Sequence, residues 1–528
     1  MSTQTKSNRK SVRAKVAHRQ ANEARVERRR ALFDALKEDG EEHVLTSRLR
    51  AELSRAGLRA GDPRLAECLA ALAEREAAGD ELLDAAAFEA VVHENVLLVE
   101  RALQGRLVVP DFEAFADRLG ELHQRVTPSR GGKVADYIPQ LSRVDPEQFG
   151  VSVTTVDGQR ASLGDAREEF CVQSTCKPIG YCLALEEHGA QKVHTHIGCE
   201  PSGHSFNELT LDRRGRPHNP MINAGAIMSS ALIRPKQPMA DRFDHVMRTW
   251  RSLAGGAKPG FSNATYLSER LTADRNFALG YFMREQGTFP AGTDLVATLE
   301  FYFQCCSVEL DAERMSHVAA TLANGGVSPT TGERVFGPET VQKCLSMMDS
   351  CGMYDFSGEW AFQIGLPAKS GVSGAIMVVV PGVLGLCVWS PRLDELGNSV
   401  RGIDFCRELV SRFNFHNYDS LCPNSDKIDP RRPAGARRHD LLGELCWAAS
   451  EGDLGGVRRL VASGASLSTA DYDGRTPLHL AASEGHLNLV RFLAERGVDL
   501  APRDRWGNTP LDDARREGHT AVAALLAG

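Results

Sequence analysis

Ser174-Thr175-Cys176-Lys177 sets a hydroxyl and an amine three residues apart. On a helix that spacing puts both on one face. A serine attacks a carbonyl when a neighbouring base takes its proton, and lysine is such a base only while neutral. Burial and the positive end of a helix both lower a lysine's pKa. The surrounding text supplies that end. A strand-like stretch precedes the motif, and the helix-like GYCLALEEHG follows it. Pro178 is tolerated only in a helix's first turn. The helix is therefore expected to begin near Ser174, with the serine at its positive end and backbone N–H groups available as oxyanion donors. Ser7-Asn8-Arg9-Lys10 has the same spacing but none of this context, and no chemistry is expected of it.

Ala368-Lys369-Ser370-Gly371 is a second element of the same kind, just before an expected strand at 374–380. Hydrolases built on S-x-x-K carry such a K-[ST]-G strand along their site. The chain has no GxxxxGK[ST], HExxH or G-x-S-x-G motif. His194, His196 and Cys199 lack a second cysteine-rich half, so no metal is expected there. The thirteen cysteines include no C-x-x-C pair and read as buried free thiols in a reducing compartment. No cofactor is called for.

These residues need a large scaffold. The chain has 528 residues, 42% hydrophobic and 25% charged, with a net charge of −7. That excludes a disordered, collagenous or disulfide-miniprotein chain, and no global basic excess points to nucleic acid. The longest apolar run, 375–389, is broken by Pro381-Gly382 and reads as two buried strands joined by a turn rather than a membrane span. Residues 1–30, with ten Lys/Arg against Glu23 and Glu27, read as a basic disordered tail. They lack the apolar core of a secretion signal, and the cytoplasm is expected over mitochondrial import. Residues 31–126 recur in leucine at threes and fours and read as an all-α bundle of four or five helices. Lys37-Glu38-Asp39-Gly40 is the nearest candidate for a calcium loop and lacks alternating acidic ligands, so calcium is not expected. Residues 130–420 mix β-branched runs with helical stretches, an α/β (α+β) block. Residues 421–438 read as a linker.

Residues 439–528 repeat with a period of 33. Thr476-Pro477-Leu478-His479 returns as Thr509-Pro510-Leu511-Asp512, and Gly452, Gly485 and Gly518 keep step. This resembles ankyrin repeats, about two and a half of them, and implies a protein partner rather than chemistry.

The central text VADYIPQL (134–141), VQSTCKP (172–178), EPSGHSFNEL (200–209), NPMINAGAI (219–227), DRNFALGYF (274–282), FYFQCCS (301–307) and CGMYDFSGEWAFQIGLPAKSGVSG (351–374) resembles the glutaminases. It is most similar to the animal kidney- and liver-type enzymes, which share the helical region and the ankyrin repeats. The resemblance implies a β-lactamase-like fold, hydrolysis of L-glutamine to L-glutamate and ammonia, and a homo-oligomer, dimeric or tetrameric. It makes Ser174 the nucleophile, Lys177 its base and Tyr354 a second proton carrier. Tyr137 would position the amide, Gln173 would flank the nucleophile, and Val372 would give an oxyanion N–H beside that of Ser174. Asn223, Glu269, Asn276 and Tyr302 would hold the amino-acid end. Glutamine's ammonium calls for an acid, and Glu269, placed by its spacing from Asn276, supplies it. Phe282 and Gly287-Thr288 depart from the animal pattern, which leaves a phosphate response open. The alternatives are another S-x-x-K hydrolase acting on β-lactams and a catalytically silent scaffold acting through its repeats.

Overall fold

The computed structural model describes residues 30, 32–34, 36–37, 41–203, 207–422, 426–432, 436–462 and 465–528. The basic tail expected at 1–30 lies outside the described residues except for Arg30. The chain divides into two compact units, Met1–Asn417 and Tyr418–Gly528. Among the described residues no helix is long and apolar enough to cross a membrane.

The N-terminal part of the first unit carries helices Thr46–Arg55, Ala66–Ala77, Ala85–Val92 and Val96–Leu103. Leu49, Leu53, Leu65, Leu72 and Phe88 form its core. Two residues of antiparallel pairing, Val44 with Leu83 and Leu45 with Leu82, tie its loops. The next helix, Phe112–Val126, reads as part of the same bundle from its periodicity, but it packs on the central block. Phe115 meets Phe413 edge-on at 5.1 Å, and His123 stacks on Phe149 at 4.3 Å.

The central block is built on a five-stranded antiparallel sheet. Its order is Arg160–Gly164, Gly150–Thr155, Leu384–Trp389, Ala375–Val380, Ala368–Ser370. The middle three strands are buried at every residue, which is why they read as continuous apolar runs rather than alternating ones. The hairpin expected around Pro381-Gly382 is present, with Val380 opposite Leu384. Helix Ala312–Ala323 lies directly on the sheet. Gly385 permits this approach, since a Cβ there would fall 2.1 Å from the Ala320 nitrogen. Helix Val400–Arg412 packs near Ile376, where a Cβ on Gly402 would come within 2.7 Å of the Ile376 side chain. Helices Lys177–His196, broken by a kink at Gly189, Asn223–Leu232, Met239–Leu253, Asn263–Leu271, Asp274–Glu285 and Leu295–Cys306 make the helical half. All thirteen cysteines are free and ten are buried.

Among the described residues the second unit holds three helix pairs: Ala436–Ser450 with Leu454–Ala462, Pro477–Ser483 with Leu487–Glu495, and Pro510–Arg516 with Thr520–Ala527. This is one more half-repeat than the sequence pattern shows. Gly443 stands where the later pairs have Thr476 and Thr509, so the first pair lacks their signature. Those threonines close capping boxes with His479 and Asp512. Successive pairs are stitched by one repeated bond, His486 Nε2 to the Ser450 carbonyl at 2.7 Å and His519 Nε2 to the Ser483 carbonyl at 2.9 Å.

Candidate active site

The short strand Phe170–Cys171 leads into a 3₁₀ turn, Gln173–Cys176, and the α-helix starts only at Lys177, with Pro178 in its first turn. The helix thus begins three residues later than its sequence suggests. Gln173, the first residue of that turn, has a left-handed φ of +46°. Three described non-glycine residues have positive φ, and two of them, Gln173 and Tyr354 (+53°), are in this site. Such backbone strain persists where the surroundings over-determine it, and it clusters at functional sites. Gly371, of the K-S-G motif, lets the chain after strand Ala368–Ser370 pass the turn. A Cβ on it would come within 3.0 Å of the Val172 carbonyl and 3.2 Å of the Thr175 methyl. This brings Val372 to the same cleft as Ser174.

Lys177 is 2% exposed. Its Nζ donates to Asn223 Oδ1 at 2.7 Å, and Asn223 Nδ2 donates to Asn276 Oδ1 at 2.9 Å. Burial is the main influence on the amine and lowers its pKa to about 8. On one side Lys177 and Tyr302 border an apolar pocket with Ile179, Leu183, Ala226, Ile233, Val246 and Trp250. Tyr354 begins the turn Tyr354–Phe356. Burial pushes its phenol up, and the neighbouring Ser174 side chain opposes that rise. A second buried lysine, Lys369, sits 4.4 Å from the centre of the Tyr354 ring. Burial first, and the neighbouring Lys177 second, hold its pKa well below the usual lysine range.

Glu269 is the centre of the other end. Tyr137 donates its hydroxyl to Glu269 Oε1 at 2.6 Å, and Gln173 Nε2 donates to the same oxygen at 2.9 Å. Burial raises the Glu269 pKa, and these two hydrogen bonds pull it down. The Tyr137 ring is 46% exposed, so it stands at the mouth with its hydroxyl turned inward.

One cleft of about 980 Å³, open mouth included, is lined by Tyr137, Gln173, Ser174, Asn223, Glu269, Asn276, Tyr302 and Val372. Those are eight of the ten residues singled out from the sequence. The other two stand beside them: Lys177 is bonded to Asn223, and Tyr354 neighbours Ser174. Sequence reasoning missed Asn207, Thr272, Arg275, Phe303 and Cys306, which also line the cleft. Asn207, Arg275, Phe303 and Cys306 lie inside the quoted motifs EPSGHSFNEL, DRNFALGYF and FYFQCCS, so position within a motif was the available signal. Cys306 Sγ lies 3.9 Å from Cys176 Sγ. Among the described residues no cluster of three His, Cys, Asp or Glu could hold a metal. His194 is instead engaged by Tyr181 at 2.9 Å and Cys199 at 3.2 Å.

A serine at the head of a helix, a buried lysine one turn on and an antiparallel sheet edge beside them define a hydrolase of β-lactamase-like fold. Residues 132–418 match the glutaminase family model, more than half of the chain, and the chain belongs to the glutaminase family. Residues 29–110 match an EF-hand domain model, and residues 445–528 match ankyrin repeats, three copies. The chain is 47% identical over 444 residues to the liver isoform of glutaminase, mitochondrial, of Mus musculus, covering 84% of this chain and 74% of that protein. It is 42% identical over 322 residues to a glutaminase of Microcystis aeruginosa, 61% of this chain and 93% of that protein. Among solved structures it resembles Bacillus subtilis glutaminase in covalent complex with 5-oxo-L-norleucine, at 30% identity and a TM-score of 0.52, covering 57% of this chain and 99% of that one. Within that EF-hand match, between helices Ala66–Ala77 and Ala85–Val92, Asp84 caps the second helix through the Ala87 N–H at 2.7 Å, and Asp80 pairs with Arg75. The loop at Lys37–Gly40 lies mostly outside the described residues.

Proposed function

We propose that the enzyme hydrolyses L-glutamine through an acyl-enzyme on Ser174, with Lys177 as base. The observation that carries this is the convergence of eight nominated residues, scattered from Tyr137 to Val372, on one cleft around Ser174. The Bacillus subtilis relative's covalent complex, formed by reaction with 6-diazo-5-oxo-L-norleucine, supports a covalent route. Lys177 takes the Ser174 proton as Oγ attacks the γ-amide carbon. The N–H groups of Ser174 and Val372 receive the oxyanion. A proton from Lys177 or Tyr354 goes to the leaving nitrogen, the C–N bond breaks and ammonia departs. Water then cleaves the ester, releasing glutamate and restoring the serine. The purified chain is expected to form glutamate and ammonia in equal amounts from L-glutamine. No glutamate, with or without added phosphate, would leave the family match without its activity.

Glu269 takes the substrate ammonium, and Asn223, Asn276 and Tyr302 take the carboxylate. A hydrogen bond to a charged group contributes about 1.5–3 kcal/mol. Glu269→Gln is therefore expected to raise KM by roughly 10- to 100-fold with kcat within about tenfold. Steady-state kinetics would refute the assignment if kcat fell and KM held.

The chain is further proposed to form a homo-oligomer and to dock a protein partner through its repeats. Light scattering at micromolar concentration is expected to show a dimer or tetramer, and a pure monomer would reject the first part.

A further inference from the structure

Three consecutive backbone carbonyls, those of Gly352, Met353 and Tyr354, are each taken by a side chain from a different place in the fold. Lys369 Nζ, on strand Ala368–Ser370, donates to the Gly352 carbonyl at 3.0 Å. Asn398 Nδ2, in the loop before helix Val400–Arg412, donates to the Met353 carbonyl at 3.3 Å. Ser357 Oγ, at the start of helix Ser357–Gln363, donates to the Tyr354 carbonyl at 2.7 Å and accepts from the Met353 N–H at 3.0 Å. Lys369 and Asn398 are fully buried, and Ser357 is 7% exposed. The Asn398 loop is itself fixed: Asp394 accepts from the Asn398 N–H at 2.9 Å, and the Asp394 N–H donates to the Asn398 carbonyl at 2.8 Å. The same loop lies along the tyrosine, since a Cβ on Gly397 would sit 3.8 Å from the Tyr354 ring.

The residue so gripped is one whose backbone is left-handed, with φ +53°. Relaxation of that dihedral to the ordinary region would swing the side chain away from its present direction. A tyrosine needed only for packing has no call for a strained backbone, but a hydroxyl that must meet one serine oxygen does. None of the three gripping side chains lines the cleft, and Asn398 and Ser357 meet the site at the Tyr354 turn.

We propose that Asn398 and Ser357, together with Lys369, are positioning residues for the reaction: they clamp carbonyls 352–354 and so keep the Tyr354 hydroxyl at Ser174. The proposal rests on the reading of Tyr354 as a proton carrier.

A double-mutant cycle on the full-length chain tests it. Asn398→Ala and Ser357→Ala are each expected to lower kcat by roughly 10- to 100-fold with KM changed less than about threefold, because the amino-acid end of the cleft is untouched. Ser357→Thr, which keeps the hydroxyl, is expected to restore most of the loss. In a Tyr354→Phe background the same alanine replacements are expected to cost less than about threefold, since no hydroxyl remains to be misplaced. Equal costs with and without that hydroxyl would assign the clamp to general structure and overturn the proposal, as would a change confined to KM. Unfolding of both alanine variants in a thermal melt would do the same. Tyr354→Phe alone, with kcat near that of the parent, would instead bring down the reading of Tyr354, and the clamp's role in the reaction with it. That result comes from a separate enzyme, so the two failures are told apart.

Discussion

Ser174→Ala is expected to lower kcat on L-glutamine by about four orders of magnitude or more while the protein melts at nearly the parent temperature. Removing a nucleophile leaves only what the oxyanion donors and substrate binding contribute, which in a serine hydrolase is roughly 10³–10⁴ over water, against a typical total loss near 10⁶. The fold has little stake in the hydroxyl. Ser174 is half-buried on a 3₁₀ turn that Thr175 already ties down, its N–H and Oγ both donating to the Val172 carbonyl, at 3.0 and 2.6 Å. The cleft's other walls come from separate elements and remain. A covalent probe separates chemistry from binding. With 6-diazo-5-oxo-L-norleucine the parent chain is expected to gain one adduct by intact mass, and Ser174→Ala none. Turnover of the variant within tenfold of the parent, or an adduct on it, would place the nucleophile elsewhere. A parent chain inert to both glutamine and the probe would favour the silent scaffold.

The parts legible in the sequence share a physical reason. Ser174 and Lys177 lie three residues apart, the Pro381-Gly382 hairpin spans a two-strand run, and the repeats pair neighbours 33 apart. Each is local or periodic, so spacing alone exposes it. Glu269 could be placed only by its spacing from Asn276 because what defines it is distant. Tyr137 and Gln173 reach its Oε1 from 132 and 96 residues away. The clamp on Tyr354 is equally non-local, as Lys369 and Asn398 approach it from 15 and 44 residues downstream. Periodicity gave helix Phe112–Val126 an apolar face but could not say whether that face met the bundle or Phe413 and Phe415. The left-handed φ at 173 was hidden for another reason: glutamine is an ordinary helix former with no preference for that region, and the group its side chain reaches, Glu269, is 96 residues away.

Lys177 yields the sharpest pH signature. A base must be neutral to accept the Ser174 proton, and the buried amine has a pKa of about 8. The neutral fraction falls tenfold for each pH unit below that value. The kcat/KM profile is therefore expected to rise with pH, bend near 8 and level off above it, since this quantity reports the free enzyme. Lys177→Arg, charged at every accessible pH, is expected to lose about 10³-fold or more throughout. The neighbour supplies the decisive control. Asn223 Oδ1 is neutral and accepts from Lys177 at 2.7 Å. Asn223→Asp puts a carboxylate at that distance, and an opposite charge so close favours the ammonium form. The bend is then expected to move up by one pH unit or more. Activity near pH 7 drops, and much of the lost ground is regained as the pH rises through the new value. Asn223 also faces the substrate, so the height of the profile changes too. The position of the bend carries the test. A bend that stays put in Asn223→Asp, or a parent profile flat from pH 6 to 9, would show that some group other than Lys177 takes the serine's proton.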